Sequence, residues 1–297
     1  MTLATFKRKP LITFYALGVV LLLVAGGGWL YKQATDPERI FWGAIEQGMR
    51  TNGVTIKATQ ANQGNGSNIE QTLQYSLGAN SRSHALTKLT QGKTVVKNEM
   101  IGTPSADFNR YLSITTDQKS ADGGDLDFSK LIGVWASGLQ PQLFAQATLG
   151  TGLPIGGMVV PIGSLTPEQR AKVMKVIREN NVYAIDFSKA KKQSAGGRSQ
   201  YVYDVKIKPT GYARLMKTFA EGVGLHELDQ LDPDAYKGQP DLSLKITVDA
   251  KARNVVTVAL PENDYKQTYS SYDVPVTVNI PQKPISATEL QDRLRNL

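Results

Sequence analysis

Val54-Thr55-Ile56-Lys57-Ala58-Thr59, a turn at Gly64-Asn65-Gly66-Ser67, then Ile69-Glu70-Gln71-Thr72-Leu73-Gln74-Tyr75-Ser76-Leu77: in this stretch apolar side chains recur at alternate positions, broken on their face only by Gln71. A period of two puts Val54, Ile56 and Ala58 on one face of a strand, and Ile69, Leu73, Tyr75 and Leu77 on one face of the next. The pattern continues. A turn at Gly78 to Ser81 leads to His84–Thr90, the tight Gln91-Gly92-Lys93 turn leads to Thr94–Ile101, and Thr103-Pro104-Ser105 leads to Phe108–Thr116. Five consecutive strands with short turns predict an antiparallel meander, apolar on one face and polar on the other.

Outward from the meander, Asp36-Pro37-Glu38 reads as a helix start, with a capping carboxylate followed by proline at the first position. Ile40, Phe41, Ala44, Ile45 and Met49 follow at helical spacing until Asn52-Gly53. Further back, Pro10 to Leu30 carries no charged side chain. About 20 such residues span a bilayer core as a helix. Lys7, Arg8 and Lys9 precede it and Trp29 and Tyr31 follow, so the positive-inside rule leaves the first nine residues in the cytoplasm. The expected division is a cytoplasmic tail at 1–9, a transmembrane helix at 10–31 and an extracytoplasmic domain at 32–297. The expected location is the cell membrane, single-pass. A cleaved signal peptide with Ala25-Gly26-Gly27 as its site is the alternative, but the apolar run continues past that point. Lipoprotein processing is excluded, because there is no cysteine to acylate.

Beyond the meander, Asp127 or Ser129 is positioned to cap a helix carrying Leu131, Ile132, Val134 and Trp135. Leu149 to Gly163 is apolar, yet it is too broken by glycine and proline for a regular element. It contains Leu153, Ile155, Met158, Val159, Val160 and Ile162, which predict a lip over a cavity mouth or a loop packed onto helices. Thr166-Pro167-Glu168-Gln169 is a capping box opening a helix through Ile177. Strands return at Val182–Phe187 and, after a loop through Gly196-Gly197, at Gln200–Lys208, where Tyr201, Tyr203, Val205 and Ile207 share a face. Tyr212, Leu215, Met216, Phe219 and Val223 then mark a helix. Three further strands are expected, on Leu242, Leu244, Ile246 and Val248, on Val256, Val258 and Leu260, and on Tyr272, Val274, Val276, Val278 and Ile280. Ser286-Ala287-Thr288-Glu289 caps a last helix. This order predicts an α+β fold, with helices gathered on the concave face of a curved antiparallel sheet.

Composition narrows the function. The absence of cysteine removes disulfides, thiolate metal sites and a thiol nucleophile. The net charge of +8 is scattered, with one tight outer cluster at Lys189, Lys191 and Lys192, and it lacks the dense basic stripe of a nucleic-acid surface. His84 and His226 stand far apart without motif context. The Asp122/Asp125/Asp127 and Asp229/Asp232/Asp234 runs lack the spacing of a calcium loop. Phosphate-loop and Gly-x-Ser-x-Gly motifs are absent, so neither metal, cofactor nor catalysis is expected.

Two stretches, Tyr201-Val202-Tyr203-Asp204-Val205-Lys206-Ile207 running into the helix from Thr210, and Val276-Thr277-Val278-Asn279-Ile280-Pro281, sit in an element order that resembles a bacterial group. These are the half-barrel lipid- and lipoprotein-binding envelope proteins: the outer-membrane lipoprotein carriers and the mycobacterial lipoprotein family that binds acylated lipids. The resemblance implies an apolar cavity between sheet and helices, and a lipid or other apolar small molecule as partner, without catalysis. Its candidate lining is Leu73, Tyr75, Trp135, Leu153, Ile155, Met158, Val159, Tyr201, Tyr203, Leu244, Ile246, Val256, Val258, Tyr272, Val274 and Val276. The chain departs from the lipoprotein members in having no cysteine. The alternative is a filled core, with the outer surface binding another envelope protein.

Overall fold

The computed structural model describes residues 35–296 apart from 63–65, 79–80, 104, 121, 139–158, 226–227 and 262–263. Thirteen strands form one open, curved sheet. The meander is β1 (Val54–Asn62), β2 (Ser67–Ser76), β3 (Arg82–Gln91), β4 (Thr94–Gly102) and β5 (Asp107–Thr115). It continues on one side into β6 (Ala136–Ser137). The later strands are β7 (Tyr183–Ile185), β8 (Lys191–Ala195), β9 (Arg198–Ile207), β10 (Leu242–Asp249), β11 (Val255–Leu260), β12 (Tyr265–Ser270) and β13 (Ile285–Ser286). Their order across the sheet is β13-β6-β5-β4-β3-β2-β1-β12-β11-β10-β9-β7, with β8 paired to β9 off this path. Every ladder is antiparallel except β6 with β13. β12 therefore joins the two halves, lying between β1 and β11.

Among the described residues four α-helices accompany the sheet: α1 (Pro37–Gly48), α2 (Pro167–Glu179), α3 (Pro209–Val223) and α4 (Ala287–Arg295). Asp36 caps α1, its carboxylate accepting from the Glu38 N–H at 3.0 Å. The Thr166/Gln169 capping box of α2 is complete in both directions. Gly224, at φ 73°, ends α3 in the left-handed conformation that favours glycine. The apolar stripes of α1, α2 and α3 and the inward faces of β9–β12 close one large core. Phe41 is at its centre, with ring centroids of Trp42 and Tyr203 at 5.2 Å and of Tyr183 and Phe187 at 5.9 Å. Each such fully buried side chain contributes about 1.5–3 kcal/mol. A second, smaller cluster joins Leu131, Ala136 and Leu290 at the β5–β6–β13 end, under α4.

The structure corrects three expectations. Residues 272–280 alternate perfectly but form no strand. Tyr265–Ser270 already fills the slot beside β1, Ser271 and Asp273 turn through positive φ, and Pro275 has no N–H to give a ladder. The Asp273 N–H instead donates to the Gly53 carbonyl at 2.8 Å, and its carboxylate accepts from the Asn52 N–H. Val274 is left 54% exposed. Second, Phe128 to Gly133 makes turns rather than a helix. The Leu131 N–H reaches the Phe128 carbonyl, and Gly133 (φ 78°) donates to Tyr111 of β5 at 2.8 Å. Third, a bulge shifts the β10–β11 register at Thr247/Val248, so Val255 and Val258 are buried while Val256 is only half-buried. Among the described residues no helix is long and apolar enough to cross a membrane. The segment 10–31 lies outside them.

Candidate ligand-binding face

The register defines which side chains share a face. From Val54↔Tyr75, Ile56↔Leu73 and Ala58↔Gln71, the core-side face of the meander carries three rows running across the strands. One is Leu73, Ala85, Met100 and Asn109, ending at Ala136. The next is Gln71, Thr87, Asn98 and Tyr111. The last is Ile69, Leu89, Val96 and Ile114. Strands about 4.8 Å apart make the last row about 14 Å long. A bulge at Leu112 is what keeps Tyr111 and Ile114 on one face although they are three residues apart.

Burial separates this face into zones. Tyr75 and Ala85 are buried, and Leu73 packs against the large core. Tyr111 and Ile114 pack against the small cluster. Between them Leu89, Val96 and Met100 are half-buried and, among the described residues, belong to neither cluster, while Ile69 is 36% exposed. The middle row is polar and partly self-satisfied: the Gln71 amide donates to the Thr87 hydroxyl at 3.1 Å. The result is an apolar trough with a polar seam, lying between two cores on one face of the sheet.

At the border of the trough lies a tyrosine-rich polar core. Gln267 is 1% exposed. Its amide donates to the Tyr265 hydroxyl at 2.6 Å and accepts from that of Tyr269 at 2.5 Å. Tyr272 donates to the Val255 carbonyl at 2.5 Å. The Tyr75 hydroxyl is buried and finds no protein acceptor among the described residues. Burial pushes these phenols up, Tyr265 to about 12, and Tyr75 and Tyr269 well above the ordinary tyrosine value.

Most of the expected lining falls elsewhere. Tyr201, Tyr203, Leu244, Ile246 and Val258 are buried in the large core. The Tyr203 hydroxyl donates to the Pro37 carbonyl at 2.8 Å and that of Tyr201 to Thr35 at 2.9 Å, which pins the start of α1 to β9. Val159, Val160 and Ile162 are fully buried, so this end of the glycine-rich segment is packing rather than lip. The Gly163 N–H donates to the Gly48 carbonyl at 3.1 Å, and a Cβ on Gly48 would come within 2.7 Å of the Pro161 oxygen. Leu153, Ile155 and Met158 lie outside the described residues. Trp135 is on the opposite face, its ring 4.5 Å from the guanidinium carbon of Arg110. Val276 is half-buried on the irregular segment. Among the described residues, Leu73, Tyr75 and Tyr272 of the expected set border the trough. Ile69, Leu89, Val96 and Met100 line it without having been singled out, although their alternation marked the face.

Several described groups with catalytic or metal-binding potential are engaged structurally. His84 contacts Glu99 at 2.8 Å, and Glu99 also takes the Arg110 Nε–H at 2.7 Å. Burial opposes the charge on Glu99, but these two partners outweigh it and hold the carboxyl below its usual range. Asp122 and Asp127 accept from the backbone N–H groups of Gly124 and Ser129. Asp125 pairs with Lys119, and Asp234 with Lys237 and Arg214. His226 is outside the described residues.

No protein-family model matches the chain, and no curated protein matches it. Solved structures similar to it include the following two. One is LprF from Mycobacterium bovis, 14% identical, spanning 82% of this chain and 96% of that chain at a TM-score of 0.44. The other is a DUF1329 family protein from Desulfovibrio piger ATCC 29098, 11% identical over the same shares, with a TM-score of 0.21.

Proposed function

We propose that this chain is a membrane-tethered extracytoplasmic domain that holds a lipid or other apolar chain, without catalysis, in the trough over β2–β5. The observation that carries the reading is the row of Ile69, Leu89 and Val96, apolar yet only half-covered, with Met100 across the polar seam, between two separate cores. Contiguous apolar surface of this kind marks a contact site. The opposite face of the same strands is mainly polar, with Glu70 on Lys88 at 2.9 Å and Glu99 on Arg110, and it carries the exposed leucines Leu86 and Leu112 only as single residues among them.

Two experiments test this. Purified chain is incubated with a fluorescent fatty acid, and uptake is compared with that of Leu89→Gln/Val96→Gln. Uptake by the parent and its loss in the variant, at an unchanged thermal midpoint, support the trough; equal uptake by both refutes it. For the tether, single cysteines at Thr2 and Glu38 are probed with a membrane-impermeant maleimide in intact bacterial cells. Labelling of Glu38→Cys alone supports the proposed orientation, and the reverse overturns it. A second reading has its own support. The tight packing of Tyr203, Ile246 and Val258 under α1 suits a filled core whose outer surface meets an envelope protein. Absence of any lipid uptake by the parent chain selects that reading.

A further inference from the structure

On the face opposite the large core, β7, β9 and β10 line a groove of about 570 Å³. Ala184, Ile185 and Pro261 give it apolar walls, and Lys189, Lys206 and Lys245 rise around it. Its two carboxylates are already taken: Asp186 is 3.1 Å from Lys189, and Asp204 pairs with Lys245. Lys206, at the centre of the groove between Ala184 and Ser243 in register, has no carboxylate partner among the described residues. Lys191 of β8 shares this face, since it is in register with Val202, two residues before Asp204, and its charge acts on that carboxylate.

The same corner contains an open strand edge. Among the described residues β8 pairs with β9 alone, and all five of its residues are exposed. It is held by a two-residue turn, Gly196-Gly197, both at positive φ. An edge of this kind presents backbone donors and acceptors to any added strand. Lys191 and Lys192 stand on it, so a second copy of this chain would add positive charge to positive charge.

From the open edge and the unpaired lysines beside it we infer that this corner is a docking surface for an extended acidic segment of a partner protein. The segment adds as a strand to β8 and sends alternate carboxylates toward Lys191 and Lys206. Charge complementarity selects the occupant: four lysines surround the groove, and its own acids neutralise two of them. A flat anionic membrane would use the lysines but neither the groove nor the edge.

The probe is a fluorescent, end-capped heptapeptide alternating Glu and Val, titrated into the full chain by anisotropy. Binding is expected to weaken at least tenfold in three cases: with Lys in place of every Glu, with proline at the two central residues, and with Lys191→Glu/Lys206→Glu in the protein. Because both substituted lysines are exposed, the double variant keeps its thermal midpoint and gains affinity for the Lys peptide. It should also remove protection from amide exchange at 191–195 on peptide addition. The inference is overturned if charge reversal leaves peptide affinity unchanged, or if the proline peptide binds as well as the parent. It is equally overturned if phosphatidylglycerol vesicles bind the chain while no acidic peptide does. Leu89→Gln/Val96→Gln leaves peptide binding intact, which separates this surface from the trough.

Discussion

Gln267→Leu tests the seam that joins the two halves of the sheet. Gln267 is enclosed at the middle of β12, and its amide satisfies Tyr265 and Tyr269 on either side. Leucine has nearly the same volume but neither donor nor acceptor. Two buried hydroxyls then lose their partner, at about 1–3 kcal/mol each. Tyr265, the more exposed of the two at 9%, recovers part of its loss by tilting toward water. The leucine regains about 1–2 kcal/mol by burying apolar surface in place of an amide. The net expectation is a loss of about 2 kcal/mol. With a urea slope of about 3 kcal/mol per M, the midpoint falls by about 0.7 M. Replacing all three partners, as Tyr265→Phe/Gln267→Leu/Tyr269→Phe, removes the orphaned hydroxyls with the amide and returns stability to within about 1 kcal/mol of the parent. Urea unfolding followed by tryptophan fluorescence and by circular dichroism checks both values. A single variant at parental stability, or a triple variant no better than the single, refutes the buried network and with it the placement of β12.

Two further outcomes follow from the same coordinates. Thr166→Ala removes the hydroxyl that accepts from the Gln169 N–H at 3.3 Å, and should cost about 1 kcal/mol in the same urea assay while leaving the slope unchanged. Alkaline titration should unfold the chain cooperatively. The buried tyrosines have folded values raised above the ordinary value of 10, so their stabilisation is complete below pH 10 and is lost as pH climbs toward about 12, where Tyr265 ionises. Phenolate absorbance should therefore rise in two phases, exposed tyrosines first and the buried set together with loss of circular dichroism; a single smooth phase near pH 10 contradicts the burial.

The meander was legible because each strand supplied its own evidence. Alternation fixed the faces, and Gln91-Gly92-Lys93, with Gly92 at φ 57°, fixed a register that runs unbroken from Ser83↔Gly102 to Gln91↔Thr94. The helices were legible from their caps, Asp36, Thr166 and Ser286, each of which accepts the expected backbone N–H. Two strands misled for complementary reasons. Tyr265–Ser270 hides a buried glutamine where an apolar residue is expected, so its pattern reads as polar. Residues 272–280 show perfect alternation with no free sheet edge to receive it. Alternation reports that one face could be buried, and it carries no information on whether a neighbouring strand exists.

The same limit governs the candidate site. Tyr201, Tyr203, Leu244 and Ile246 are indistinguishable in sequence from Leu73, Leu89 and Val96, since all are apolar residues on the inward face of one continuous sheet. What separates core from trough is where α1 lands. Phe41 inserts against Tyr203, and the Tyr201 and Tyr203 hydroxyls reach the carbonyls of Thr35 and Pro37, so the helix is committed to β9 and not to β3. That commitment is made by contacts 166 residues apart in the chain, beyond the reach of any local period. It also gives the architecture a functional logic. The helix that emerges from the expected membrane segment is fixed by the filled half of the sheet, which leaves the other half of the same face to Ile69, Leu89, Val96 and Met100. If the core under α1 and the trough are separate, loosening α1 with Phe41→Ala should lower stability by about 3–5 kcal/mol while any surviving folded chain still takes up the fluorescent fatty acid. Loss of uptake in that folded fraction would mean that the ligand is held by the large core instead.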